Sequence, residues 1–91
     1  SQIPGNRITI KIRQSNFRSS CVEILFHGFI KNAKINIYNS EGRSVRSFKG
    51  IEKTIYWDGK DSKGLIVPSG TYLVTINENE NFASAKLLIK K

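Results

Sequence analysis

Between Trp57 and Tyr72 the chain reads Trp-Asp-Gly-Lys-Asp-Ser-Lys-Gly-Leu-Ile-Val-Pro-Ser-Gly-Thr-Tyr, a density of turn-forming residues that excludes a helix. Asp58-Gly59 and Lys63-Gly64 supply positions that tolerate positive φ, and Pro68 followed by Ser69-Gly70 forces a second bend before Tyr72 opens an alternating run. The stretch is read as a corner between two strands, fenced by an aromatic residue at each end. The other elements are expected to close around it. Leu65-Ile66-Val67, between the bends, is too apolar for a solvated loop and is expected to fold back over one end of the core.

Away from the corner the dominant signal is strict alternation. Arg7 to Arg13 places Ile8, Ile10 and Ile12 on one face, Cys21 to Phe26 places Val22, Ile24 and Phe26 inward, and Ala33 to Tyr38 does the same with Ile35 and Ile37. Asn39-Ser40-Glu41-Gly42 is a hairpin-type turn with Gly42 suited to positive φ. Arg43 to Phe48 is short and charged, as edge strands often are, and Gly50 is expected to end it. Lys53 to Trp57, Thr71 to Asn77 and Phe82 to Lys90 complete seven strands, separated by turns and with no helical periodicity. An antiparallel sandwich of two sheets leads, ahead of a small closed barrel. Residues 1–6, with Pro4-Gly5-Asn6, read as a linker and residues 7–91 as one domain.

At 91 residues the chain can bury a core without metal or disulfide help, but leaves little room for an elaborate active site. Fifteen Lys and Arg against seven Asp and Glu give a net charge of +8, which suits either an anionic partner or simple solubility. The basic residues are dispersed along the chain, so no nucleic-acid partner is expected. No apolar run approaches a membrane span and the first residues carry no signal-peptide pattern, so direct membrane insertion is not expected either. The abrupt start reads as a piece of a longer polypeptide. The single cysteine, Cys21, cannot form an intradomain disulfide.

The candidate chemistries are weaker than their structural counterparts. Cys21 and His27, the only histidine, are six residues apart on one extended segment, roughly 20 Å, with no third group to orient them. His27 and one Cys fall far short of a metal set. Asp58 and Asp61 are the closest carboxylates in the chain, in a glycine-rich loop. The EF-hand spacing is absent, Lys60 and Lys63 oppose a cation, and Asx-turn capping is the better reading. Trp57 falls in phase with Ile55 and is placed inside, leaving Tyr56 exposed. Tyr38, Tyr56 and Phe82 have no spacing that would bring them into a sugar-binding platform. No catalytic, cofactor or metal residue is assigned.

Three pieces, in order, resemble a known family. Ile35-Asn36-Ile37-Tyr38-Asn39-Ser40-Glu41-Gly42-Arg43-Ser44-Val45 is similar to its hydrophobic-x-hydrophobic-Tyr-Asp-x-x-Gly-Arg-x-Val hairpin. Trp57-Asp58-Gly59-Lys60-Asp61, Gly64 and Val67-Pro68-Ser69-Gly70-Thr71-Tyr72 resemble its Trp-Asp-Gly…Gly…Pro-Ser-Gly-x-Tyr corner. Lys86-Leu87-Leu88-Ile89-Lys90-Lys91 is similar to its basic, apolar last strand. The family is the C-terminal sorting domain of proteins exported by the type IX secretion system of Bacteroidota, related to the Ig-like domain of the flagellar hook-capping protein. Asn39 stands where that family usually has Asp.

The resemblance implies an Ig-like sandwich that is not an enzyme and needs no cofactor. It also implies fusion to an upstream catalytic or adhesive domain, and passage through the periplasm to the cell surface or medium. The partner would be an outer-membrane secretion and processing machinery. Lys86, Lys90 and Lys91 are the candidate recognition residues, and Trp57, Asp58, Gly59, Asp61, Gly64, Pro68, Gly70 and Tyr72 build the corner. The alternatives are an accessory module of a multidomain hydrolase, binding carbohydrate or acting as a spacer, and a structural Ig-like domain of a flagellar or surface assembly.

Overall fold

A computed structural model of the chain describes residues 8–14, 22–28, 33–50, 54–78 and 81–89. The linker reading of residues 1–6 and the readings of Cys21, Lys90 and Lys91 lie outside the described residues.

The alternating segments form β1 (Thr9–Gln14), β2 (Val22–His27), β3 (Ala33–Tyr38), β4 (Ser44–Gly50), β5 (Thr54–Trp57), β6 (Gly70–Glu78) and β7 (Asn81–Ile89). They make two antiparallel sheets, ordered β1-β2-β5 and β4-β3-β6-β7. With the strands lettered A to G, the sheets are ABE and DCFG. The fourth strand thus lies beside the third, not beside the fifth as in constant-type antibody domains. Gly50 ends β4, as its sequence position suggested. It pairs with Ala33 as the strand's last residue, because at a sheet edge a glycine can complete the ladder without a side chain to place.

The period of two sorts the side chains. Val22, Ile24, Phe26, Ala33, Ile35, Ile37, Ile55, Trp57, Tyr72, Val74, Ile76 and Leu87 all lie in the buried core between the sheets, with Ile10, Ile12, Val45, Phe48 and Ala83 packed at its margin. Trp57 is the largest side chain wholly removed from solvent, followed by Ile24, Ile37 and Ile76, and each such burial contributes roughly 1.5–3 kcal/mol. Tyr56 points outward, 64% exposed, as its phase against Trp57 requires. The charged β4 is an edge strand, also as its composition indicated.

The apolar triplet of the corner departs from expectation. Only Val67 reaches the core, at 4% exposure, whereas Leu65 and Ile66 are each 63% exposed. The backbone explains this: Val67 N donates to Gly59 O and Asp61 N to Leu65 O, while Lys60 bridges Ile66 in antiparallel fashion. The segment thus pairs with its own first half instead of lying across the sandwich.

Candidate functional site

The 57–72 corner carries the chain from β5 of one sheet to β6 of the other. Its two carboxylates are consumed by the loop itself. Asp58 Oδ1 accepts Lys60 N at 3.1 Å, and Asp61 Oδ1 accepts Lys63 N at 2.9 Å and Leu65 N at 3.0 Å. These are the Asx caps expected from the sequence. Gly59 and Gly64 sit at φ 77° and 87°, where a Cβ would crowd the following carbonyl. Among the described residues no group of three or more His, Cys, Asp or Glu side chains could hold a metal ion.

The corner is fastened to the sandwich at both ends. Trp57 Nε1 donates to Lys60 O at 2.9 Å, and the Tyr72 hydroxyl donates to Pro68 O at 2.7 Å. The latter bond, from a tyrosine at the start of the sixth strand back to the backbone four residues earlier, is the tyrosine corner of Ig-type sandwiches. The two rings meet edge to face, with centroids 5.8 Å apart at 67°, the arrangement favoured by ring quadrupoles. Gly70, paired with Ile89, begins β6 directly after the bend.

A third fastening was not legible in the sequence. The β3–β4 register shifts between Ile37 and Tyr38, so that Ile37 pairs with Arg46 and Tyr38 with Ser44, leaving Val45 as the extra residue of a bulge. Arg46 lies on the core side of this edge strand. Its Nη1 donates to Asp58 Oδ1 and to Lys60 O, both at 3.1 Å, and its guanidinium stands 5.0 Å from the centroid of the Phe48 ring. Ser62 N donates to Val45 O at the bulge itself. The only outward signal was an arginine two residues before a core phenylalanine, which reads equally well as edge-strand charge.

Burial alone would raise the Asp58 pKa, but the Lys60 N–H and the Arg46 guanidinium outweigh it and hold the carboxyl below its ordinary value. The Leu65 N–H is the chief cause of the same lowering at Asp61, against weaker desolvation and with help from Lys63 N–H. A depressed native pKa gives stability that is present above the unfolded value near 3.8 and lost as pH falls through the native one. Thermal melts should therefore show a loss of stability beginning below about pH 5 and steepening toward pH 3. Asp61→Asn keeps an acceptor oxygen and should fold at pH 7 while flattening that acid limb. An unchanged acid limb would show that Asp61 does not contribute to it.

At the preceding hairpin, Asn39 Oδ1 accepts Glu41 N at 3.0 Å and Arg43 N at 2.9 Å. An amide oxygen therefore fulfils the capping role for which the related pattern has a carboxylate. A cleft of about 640 Å³ opens between this hairpin and the corner, with Val67 and Tyr72 at its base and Leu65 and Ile66 along its rim.

The other sequence-predicted residues lie apart. Lys86 is exposed on β7, opposite Leu73. His27 is exposed at the end of β2. Tyr56 belongs to the three-stranded sheet, whereas Tyr38 and Phe82 belong to the other, so the three form no common platform. No helix among the described residues is long and apolar enough to cross a membrane.

Two sheets in ABE and DCFG order, closed by a tyrosine corner, define an Ig-like β-sandwich. The family model described as the FlgD Ig-like domain matches residues 7–81, and the chain belongs to that family. No curated protein matches it. Among solved structures, PorZ of Porphyromonas gingivalis, described as an essential bacterial surface component of its type IX secretion system, contains a similar fold. The TM-score is 0.74 at 15% identity, over 90% of this chain and 11% of that one. At this identity the likeness concerns the fold, and the chain spans about a tenth of that protein's length.

Proposed function

We propose that the domain is a non-catalytic sorting and attachment module of a secreted bacterial protein, recognised by the type IX secretion machinery and delivered through the periplasm to the cell surface or medium. The observation that carries this reading is the pairing of the Trp57–Tyr72 corner with the basic, apolar segment Lys86-Leu87-Leu88-Ile89-Lys90-Lys91 on one FlgD Ig-like sandwich. The fold it shares with part of a surface component of that secretion system is consistent with it. The corner serves as a rigid brace, and β7, hydrogen-bonded along its length to β6, presents Lys86 to the machinery. An upstream catalytic or adhesive domain would be the cargo.

Fusing the 91 residues to the C-terminus of a periplasmic reporter in a host with the type IX system should move the reporter to the surface or medium. The fusion should stay in the periplasm when the system is deleted. Periplasmic retention of the fusion in the intact host would overturn the reading. The family match favours a second reading, a structural Ig-like domain within a flagellar or surface assembly, which predicts that retention.

A further inference from the structure

The outer face of the four-stranded sheet carries charge of one sign. Register places Lys49, Lys34, Asn77 and Phe82 in one row across it and Ser44, Tyr38, Leu73 and Lys86 in another. Lys34 and Lys49 are direct cross-strand partners, both exposed and without an ion-pair partner among the described residues. Like charges directly opposite are unfavourable. The other sheet resolves the same situation with opposite charges: Arg13 faces Glu23 across β1–β2, with Nη1 3.8 Å from Oε1. The rows of the four-stranded face contain no carboxylate. At the Lys86 end of the face, toward the Asn39–Gly42 turn and away from Lys34 and Lys49, lies a shallow apolar depression of about 350 Å³, with Tyr38 and Leu73 in its lining and Lys86 at its rim.

The geometry points to this face as a docking surface for an acidic polypeptide segment, with Lys34 and Lys49 gripping carboxylates at one end, Lys86 gripping one at the other, and Leu73, beside Lys86, seating an apolar side chain. Charge complementarity decides the occupant. A second copy of the chain, itself at +8, would be repelled. A bilayer surface is flat and would leave the depression unfilled. A glycan would need stacked aromatics, whereas Tyr38 and Phe82 are four residues and two strands apart, roughly 16 Å. Lys34 and Lys86, in opposite rows and also roughly 16 Å apart, match the reach of about five residues of extended chain. The inference rests on the sheet face alone and does not depend on the export reading.

The test is a titration of the 91-residue chain with a ten-residue peptide of alternating glutamate and leucine, followed by amide chemical shifts. The expected result is saturable shifts centred on Lys34, Lys49, Leu73 and Lys86. Lys34→Glu, which converts the like-charge pair into an opposite one, should weaken binding at least fivefold without lowering the melting temperature. Lys63→Glu makes the same change in net charge on the corner and should leave binding within twofold. Equal weakening by both variants, shifts scattered over all lysines, or tighter binding to phosphatidylglycerol vesicles or an anionic oligosaccharide than to the peptide would each overturn the proposal.

Discussion

Trp57→Ala should destabilise the domain by about 3–5 kcal/mol, a large share of the roughly 5–15 kcal/mol that holds a domain of this size together. The indole is wholly buried, at the end of β5 where Trp57 pairs with Val22. Its truncation therefore opens a cavity between the sheets that neither ladder can collapse to fill. Two further losses act at the corner: the hydrogen bond from Nε1 to Lys60 O and the edge contact with Tyr72. Lys60 O retains the Arg46 guanidinium, so that carbonyl is not left without a donor. Trp57→Phe keeps a ring in the core and should cost less, about 1–3 kcal/mol. Trp57 is the only tryptophan, so denaturation must be followed by circular dichroism. A fall in melting temperature of about 4–8 °C per kcal/mol is expected. A cost for Trp57→Ala below about 1 kcal/mol would mean that the corner is held by its own turns and not by the core.

Why Trp57 was legible and Arg46 was not follows from the kind of information each position carries. Placing Trp57 inside and Tyr56 outside needed only the period of two from Ile55, and a strand keeps that period whatever it pairs with. The Asx caps at Asp58 and Asp61 are local too, made with N–H groups two to four residues away. Arg46 depends on a bulge at Val45, set by how β4 meets β3, and on a loop twelve residues further along the chain. Nothing within the segment Arg43 to Phe48 encodes either. Leu65 and Ile66 misled for the opposite reason: their apolarity argued for burial, but the turn chemistry of Asp61 and Gly64 had already committed their backbone to pairing with 59–61. Hydrophobicity sets which residues would gain from burial, and backbone hydrogen bonding decides which can reach it. The outer-face lysines show a similar limit. Lys34 and Lys49 each read as an ordinary exposed strand residue, and only register makes them a pair.

Tyr72 gives the second large effect, and its two substitutions separate packing from hydrogen bonding. The ring is 4% exposed, between Trp57 and the β7 residue Leu87 with which Tyr72 pairs. Tyr72→Ala should therefore cost about 3–5 kcal/mol through the cavity it leaves. Tyr72→Phe removes only the hydroxyl that donates to Pro68 O. Pro68 is exposed, so water can replace that donor, and the loss should stay near 0.5–1.5 kcal/mol. Desolvation raises the Tyr72 pKa above its ordinary value of 10.0. The native state therefore holds the phenolic proton more tightly than the unfolded chain. The resulting stability is fully present below about pH 10 and declines as pH rises through the native value. Urea titrations of wild type and Tyr72→Phe between pH 8 and 11 should converge at the alkaline end, because only the wild type has a buried hydroxyl to ionise. A constant gap across that range would show that the hydroxyl ionises alike in the native and unfolded chain, and a gap near zero at pH 8 that the bond to Pro68 does not fasten the corner.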